Sequence, residues 1–150
     1  MITVRPATLI DLPWLLRELQ SFDQFFGSSR SLFPDLETAE AIVSEFVTKH
    51  LFLVAQGRDG CLGFIAGIVG PHPYNPALTY LSETFWWVTP QFRGSRAGLT
   101  LLNAFVMTGK QLQVDAIVMT LESDSPVNPE TLTRRGFRPK ETNYLLEVVA

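Results

Sequence analysis

The sequence holds one cysteine, Cys61, in 150 residues. An internal disulfide is therefore excluded, and a lone thiol suits a reducing compartment. Charge is scarce as well. Only 18% of residues are charged, the formal net charge is −3, and no long basic block occurs. Nucleic-acid binding needs a concentrated basic footprint, so no nucleic-acid partner is expected. No apolar run reaches the ~18 residues of a membrane span. The first residues lack the basic start and apolar core of a secretory leader. These absences predict a cytoplasmic protein without a membrane partner. Two phosphate-binding fingerprints are missing too. No glycine-rich loop ends in the Gly-Lys-Ser/Thr of a Walker site, and no G-x-G-x-x-G follows the first strand, where a dinucleotide fold would place it.

What is present is apolar substance. The hydrophobic fraction of 46% makes disorder implausible and predicts one domain over residues 1–150 with a substantial core. Period-2 runs predict strands over Met1–Arg5, Leu51–Gln56, Cys61–Val69, Thr79–Val88, Asp115–Leu121 and Asn143–Val149. Gly57-Arg-Asp-Gly60 joins two of them as a hairpin, and Gly63 and Gly67 mark a bulge or a close backbone approach. Helices are predicted from a cap at Thr8 or Asp11 through Leu19, over Thr38–His50, from Ala97 to about Lys110, and over Glu130–Arg135. Phe22, Phe25, Phe26 and Phe33 surround the breaker-rich Gly27-Ser-Ser-Arg-Ser31; they read as plugs for the core beneath a loop, or as walls of an acceptor pocket. The element order is that of a mixed-sheet α/β protein, not a doubly wound one.

The most informative stretch is Val88-Thr-Pro-Gln-Phe-Arg-Gly-Ser-Arg-Ala-Gly98. It follows the strand Thr84-Phe-Trp-Trp-Val88, and behind it Leu99, Leu102 and Val106 recur at helical spacing. A helix start leaves about four N–H groups unpaired and carries partial positive charge. Gly94, Ser95, Ala97 and Gly98 are small enough to let an anion approach the backbone, and Arg93 and Arg96 add charge. The segment reads as a diphosphate cradle.

This stretch resembles the acetyl-CoA motif [RQ]-x-x-G-x-[GA] of the GNAT superfamily of acyl-CoA N-acyltransferases. Here it reads Arg93-Gly94-Ser95-Arg96-Ala97-Gly98, with Arg96 where a central glycine usually stands; an arginine fits there only at negative φ or in a rebuilt turn. Ile2-Thr-Val-Arg-Pro-Ala7 with Asp11 resembles the family's opening strand and first helix cap. Gly136-Phe137 and Tyr144-Leu145-Leu146 resemble its closing turn and last strand. The resemblance implies a central mixed, mostly antiparallel sheet of six to seven strands flanked by four helices. It implies N-acetyl transfer from acetyl-CoA to a primary amine, by direct attack in a ternary complex, without a metal. The acyl arm would lie where Thr79–Val88 splays from Asp115–Leu121, with backbone groups of Trp87 or Val88 bonding it and polarising the carbonyl. Asn128 falls near the place of an asparagine that bonds the pantetheine arm.

Glu83 is the carboxylate of the central strand, set among Leu81, Phe85 and Trp87, and is the candidate general base. His72, Tyr74 and His50 are weaker candidates, His50 reading as a helix-end residue. Leu132 stands where many relatives carry a tyrosine that protonates the leaving thiolate; either water or another group such as Tyr80, Tyr144 or Ser125 replaces it, or no acid is needed. The other reading is a catalytically degenerate acyl-CoA-binding module. The acceptor, a small molecule or a protein amine, is open, and so is a homodimer.

Overall fold

The computed structural model describes residues 1–26, 32, 33 and 35–148; the expected loop Gly27–Ser31 lies outside them. By its contacts the chain divides into two compact units, Met1–Thr120 and Leu121–Ala150.

The first unit is built on a sheet with strands in chain order: β1 (Thr3–Pro6), β2 (Leu51–Gly57), β3 (Gly60–Pro71), β4 (Thr79–Val88) and β5 (Ala116–Val118). Neighbours are antiparallel except the β4–β5 pair, which is parallel. Helices α1 (Leu12–Phe26) and α2 (Leu36–Lys49) supply Leu15, Leu19, Val43 and Phe46 to a core shared with Phe52, Val54, Phe64, Ala66, Phe85 and Trp87. Helix α3 (Ala97–Gln111) supplies Ala97, Leu101 and Phe105 to a second core with Leu53, Ala55, Ile65 and Leu81. Successive residues of β2 thus fall in opposite cores, so the sheet is covered on both faces. That explains why Phe52-Leu-Val-Ala55 is uninterruptedly apolar: a strand buried on both sides has no polar face to alternate with.

Two glycines on β3 are fixed by close approach. A Cβ on Gly63 would stand 2.5 Å from the Trp87 carbonyl oxygen, and one on Gly67 would meet Ser82 O and the Phe105 ring at 2.7 Å. Both confirm the sequence reading.

The start of α1 is tied to the sheet by one ion pair. Arg5 Nη1 and Nη2 donate to Asp11 Oδ2 and Oδ1 at 2.9 and 2.8 Å, while Arg5 Nε donates to Gln56 Oε1 on β2. Asp11 Oδ2 also accepts from the Thr8 N–H at 2.8 Å, closing the single 3₁₀ turn Leu9–Asp11 that leads into α1. The Arg5 hydrogen bonds hold the Asp11 carboxyl below its ordinary value, and the same partner raises Arg5.

The second unit contains α4 (Glu130–Thr133), stopped by Gly136 at φ +90°. The Phe137 N–H returns to Leu132 O and the Gly136 N–H to Thr133 O, so the last carbonyls of the turn are satisfied. Among the described residues the chain has five strands and four α-helices. The expected six to seven strands are corrected to five: residues 143–148 form no strand, although their sequence has the pattern of one, and Val149 lies outside the described residues. A strand needs a ladder partner as well as propensity, and that partner is not legible locally. The strand expected over Asp115–Leu121 is also shorter, ending at Val118.

Asp11 is 9% exposed, so Asp11→Asn is expected to cost about 1–3 kcal/mol, the range for a lost charged hydrogen bond. A carboxylate with a depressed folded pKa stabilises the fold above its unfolded pKa and loses that contribution as pH falls through the folded one. The difference in unfolding free energy between wild type and variant should therefore be full near neutrality and shrink below pH 3.8, the ordinary aspartate value. Urea titrations at several pH values would show it; a difference that stays constant into acid would contradict the assignment.

Candidate active site

β4 changes face partway along. Leu81 packs into the α3 core, whereas Phe85 and Trp87 pack into the α1–α2 core and Trp86 and Val88 lie against the α3 side. A regular strand cannot put residues 81 and 85 on opposite faces. The register supplies the reason: Gly67 pairs with Glu83 and Ala66 with Phe85, leaving Thr84 as the extra residue of a bulge. Bulges leave their extra residue outside the ladder and bend the strand. On its other side, β4 pairs with β5 over Tyr80–Ser82 only. From Glu83 to Val88 the strand runs on past the end of β5, on the side where the family resemblance implies a splay.

This corrects the surroundings expected of Glu83. The carboxylate is not lodged among Leu81, Phe85 and Trp87 on one face, because those residues serve two different faces. Glu83 is half-buried at the bulge itself. Its Oε2 accepts the Thr120 N–H at 3.2 Å, just where β5 has ended. The side chain is thereby held at the start of the gap.

The far end of the gap is Val88. The Thr89 N–H is taken by Leu62 O on β3, and the Trp87 carbonyl faces Gly63 on the same strand. Backbone groups alternate sides along a strand, so the Val88 N–H and C=O face the splayed side. Of the two amides left open by the sequence, Val88 is the one directed there.

The turn that follows divides its two arginines. Arg93 Nε donates to Val88 O at 3.1 Å. Its guanidinium carbon lies 4.5 Å from the centre of the Trp87 ring and 5.2 Å from that of Phe25. Arg93 therefore braces β4 against α1 with its side chain, a use the sequence did not reveal. Arg96 is exposed at the start of α3 and makes no ion pair among the described residues. Its φ of −81° is ordinary for an L residue, so arginine in the usual glycine place needs no rebuilt turn. Gly94 is the position that needs glycine, at φ +91°. Gly98 needs it less: an added Cβ would only touch Val88 Cγ2 at 3.6 Å.

The amide inventory of the turn is open. Arg93 N–H is bonded to Pro90 O, Ser95 N–H to Phe92 O, and Ala97 N–H to Ser95 Oγ. The N–H groups of Gly94, Arg96, Gly98 and Leu99 take no partner among the described residues. Open donors at the start of a long helix, next to an exposed arginine, fit a diphosphate. Leu99 is an addition to the expected set; it contributes only its backbone and so left no sequence signal beyond its place in the first turn.

The wall beside Val88 is aromatic. Trp87, 3% exposed, has Phe22, Phe25 and Phe26 of α1 around its ring at centroid distances of 5.7, 5.9 and 6.1 Å. Its indole Nε1 donates to Glu18 Oε2 at 3.0 Å. Phe22, Phe25 and Phe26 are thus helical, not loop residues; Phe22 and Phe26, with Phe33 near Phe85, pack against the core, whereas Phe25 is exposed. Glu18 was missed, although its spacing to Phe22 and Phe25 (i+4, i+7) puts all three on one helical face.

His72 lies in the β3–β4 loop, where Nδ1 accepts the Tyr74 N–H and the ring rests 4.8 Å from that of Tyr80. Tyr74 is almost fully exposed. His50 follows α2 with its ring against Phe46, as a helix-end residue should. In the second unit, Asn128 Oδ1 accepts the Glu130 N–H at 3.0 Å and so opens α4. Arg134 pairs with Glu130 and Arg135 donates to Thr131 O. Leu132 is buried and brings no acid.

No protein-family model and no curated protein matches the sequence. Solved structures do match. A transcriptional regulator from Bacillus halodurans C-125 superposes with a TM-score of 0.79 at 17% identity, over 99% of this chain and 100% of that one. An acetyltransferase of Trypanosoma brucei gives 0.74 at 15% identity, over 99% and 100%. A predicted acetyltransferase from Clostridium acetobutylicum, solved with acetyl-CoA, gives 0.68 at 18% identity, over 99% and 96%. The fold is shared with these and other solved acetyltransferases.

Arg93→Ala is expected to lower stability by about 1–3 kcal/mol, through loss of a charged hydrogen bond and its stacking on Trp87. Arg96→Ala should stay within about 0.5 kcal/mol of wild type, as for an exposed side chain without partners. Denaturant midpoints distinguish the two; equal losses would contradict the division of labour.

Proposed function

We propose that this chain, acting as a single domain, is an N-acetyltransferase that moves an acetyl group from acetyl-CoA to a primary amine in a ternary complex. The observation that carries the reading is the splay of β4 beyond Ser82, which ends at Val88 beside a turn with four open amides. Several solved structures with this fold are of acetyltransferases, which supports the same reading. The lone thiol and the absence of a helix long and apolar enough to cross a membrane among the described residues favour a cytoplasmic setting.

Acetyl-CoA would supply an acyl carbon already activated as a thioester. The amides of Gly94, Arg96, Gly98 and Leu99, with the Arg96 guanidinium, would hold its diphosphate. The Val88 N–H would bond the acyl arm or the carbonyl oxygen as charge grows on it. Glu83 would accept a proton from the acceptor's ammonium, directly or through water, freeing the lone pair for attack. A C–N bond forms, the C–S bond breaks, and the second proton, shed by the nitrogen as it becomes an amide, passes through water to the departing thiolate, since Leu132 has none to give. Alignment and deprotonation are then the main burdens on the protein.

A degenerate acyl-CoA-binding module is the second reading, favoured by Leu132. Arg96 no longer favours it, because its backbone angles suit the turn.

Acetyl-CoA is expected to raise the melting temperature, since a ligand of the native state at a hundred times its Kd stabilises by about 2.7 kcal/mol. Arg96→Ala should weaken that shift. Glu83→Gln should keep the shift but lower CoA release roughly 10²–10⁴-fold across a panel of amines, and recover with rising pH as the amine loses its proton unaided. No thermal shift at millimolar acetyl-CoA would sink the proposal. A shift without CoA release from any amine would select the binding module, and wild-type turnover from Glu83→Gln would remove Glu83 from the mechanism.

A further inference from the structure

The turn sends its two arginines different ways. Arg96 stands at the start of α3, a helix that packs on the sheet face carrying Ile65 and Leu81. Arg93 reaches the other face. Its guanidinium lies over Trp87, a member of the α1–α2 core, and over Phe25 of α1.

That guanidinium is held in place but not satisfied. Nε donates to Val88 O, and the two rings fix the plane of the group. Nη1 and Nη2 take no partner among the described residues, and Arg93 makes no ion pair there. Glu18, a carboxylate on the same wall, gives its Oε2 to the Trp87 indole N–H instead. Arg93 is nevertheless half-buried. A cation partly withdrawn from water and left unpaired is costly, and an arriving anion would relieve that cost. With Nε taken, the end-on pair Nη1/Nη2 is the edge left for two parallel hydrogen bonds, the geometry that suits a carboxylate. A fork already fixed by its stem and by stacking loses little freedom when it binds.

The position of the fork separates it from the donor's diphosphate. The open amides lie in the turn that starts α3, whereas the fork rests on the α1 wall. Beyond Ser82, β4 has no ladder partner on its β5 side, so no strand among the described residues divides the two faces there. An acceptor arriving from the α1 face meets Arg93 beside the Val88 backbone, where the acyl arm would be held. We propose that Arg93 binds a carboxylate of the acceptor, which makes the substrate class an amino acid or another amine that carries a carboxylate. Phe25, 41% exposed, offers an apolar surface beside the fork for the carbon chain of such a molecule. This assignment rests on the acetyl-transfer reading of the same site.

Isothermal titration in saturating acetyl-CoA tests the site with unreactive probes. Wild type should bind phenylacetate and hexanoate at least roughly tenfold more tightly than phenylacetamide and hexanamide, the factor expected of a charged hydrogen bond. Arg93→Gln keeps a donor for Val88 O and should erase that preference, with acetyl-CoA affinity near wild type. In CoA-release assays, 6-aminohexanoate should exceed pentylamine in kcat/KM for wild type but not for the variant. Equal binding of acid and amide by wild type would overturn the proposal, and so would a preference that survives Arg93→Gln. Loss of acetyl-CoA affinity in that variant, with the carboxylate preference intact, would give Arg93 to the donor instead. If Arg93→Gln does not fold, Phe25→Ala decides in its place. It removes an exposed ring that orients the fork and should weaken the preference, and an unchanged preference refutes the assignment. Acetyl-CoA that raises the melting temperature without any carboxylate preference would leave acetyl transfer standing and remove only this inference; no acetyl-CoA binding would remove both.

Discussion

The extra residue at Thr84 governs the candidate site. With that single insertion, opposite Ala66 and Gly67, Leu81 can serve the α3 core while Phe85 and Trp87 serve the α1–α2 core. The same step places Glu83 at the bulge, where its carboxylate meets the Thr120 amide beyond the end of β5. β3 makes the bulge possible by giving up side chains: the space a Cβ would need on Gly67 is already held by Ser82 O and the Phe105 ring. A glycine on one strand thus permits the bend in its neighbour, and the bend opens the gap.

The gap is kept in shape by packing more than by charge. Trp87 anchors β4 into a wall of phenylalanines, Glu18 fixes the indole nitrogen, and Arg93 lies over the ring while holding Val88 O. A guanidinium stacked on an aromatic face and bonded to a carbonyl is a rigid strut, since its planar fork loses little freedom on binding. The strut spans from α1, through Phe25, to the backbone group beside the open Val88 amide. Movement of α1 would be felt at Val88, at the end of β4 beside the aromatic wall. Arg96, three residues on, is left to solvent and to whatever anion the helix start attracts.

Much of this was legible in the sequence, and the limits have physical causes. The strand Thr79–Val88 and the helix from Ala97 were readable because aromatic and β-branched density and helical periodicity are local. The open amides of the turn were readable because small residues leave the backbone free at a helix start. The setting of Glu83 was not readable from alternation, because one inserted residue inverts every later side chain; Gly63 and Gly67 were the signals that a bulge was near. The roles of Arg93 and Arg96 were indistinguishable as charges. What separates them is a long-range neighbour, Phe25 of α1, together with the register of Val88. The strand pattern of Asn143–Val148 was visible, whereas its place in a ladder depends on a partner elsewhere.

Leu132 tests how much acid–base machinery a site of this kind requires. A thiolate is a far better leaving group than an alkoxide or an amide nitrogen, because it is only weakly basic, its conjugate thiol having a pKa near 8.5. Collapse of a tetrahedral centre toward C–S cleavage therefore needs little protonation, while an ammonium cannot attack at all until its proton has gone. The chain's chemistry-bearing side chains follow that asymmetry. A carboxylate is fixed at the mouth of the splay, and the turn at its far end carries open amides and one exposed cation. In the second unit, the position where the family resemblance expects a tyrosine is the buried Leu132. The scarcity of titratable groups is then consistent with a reaction whose activation is carried into the site by the donor, and whose remaining demands are one proton acceptor and a well-held geometry.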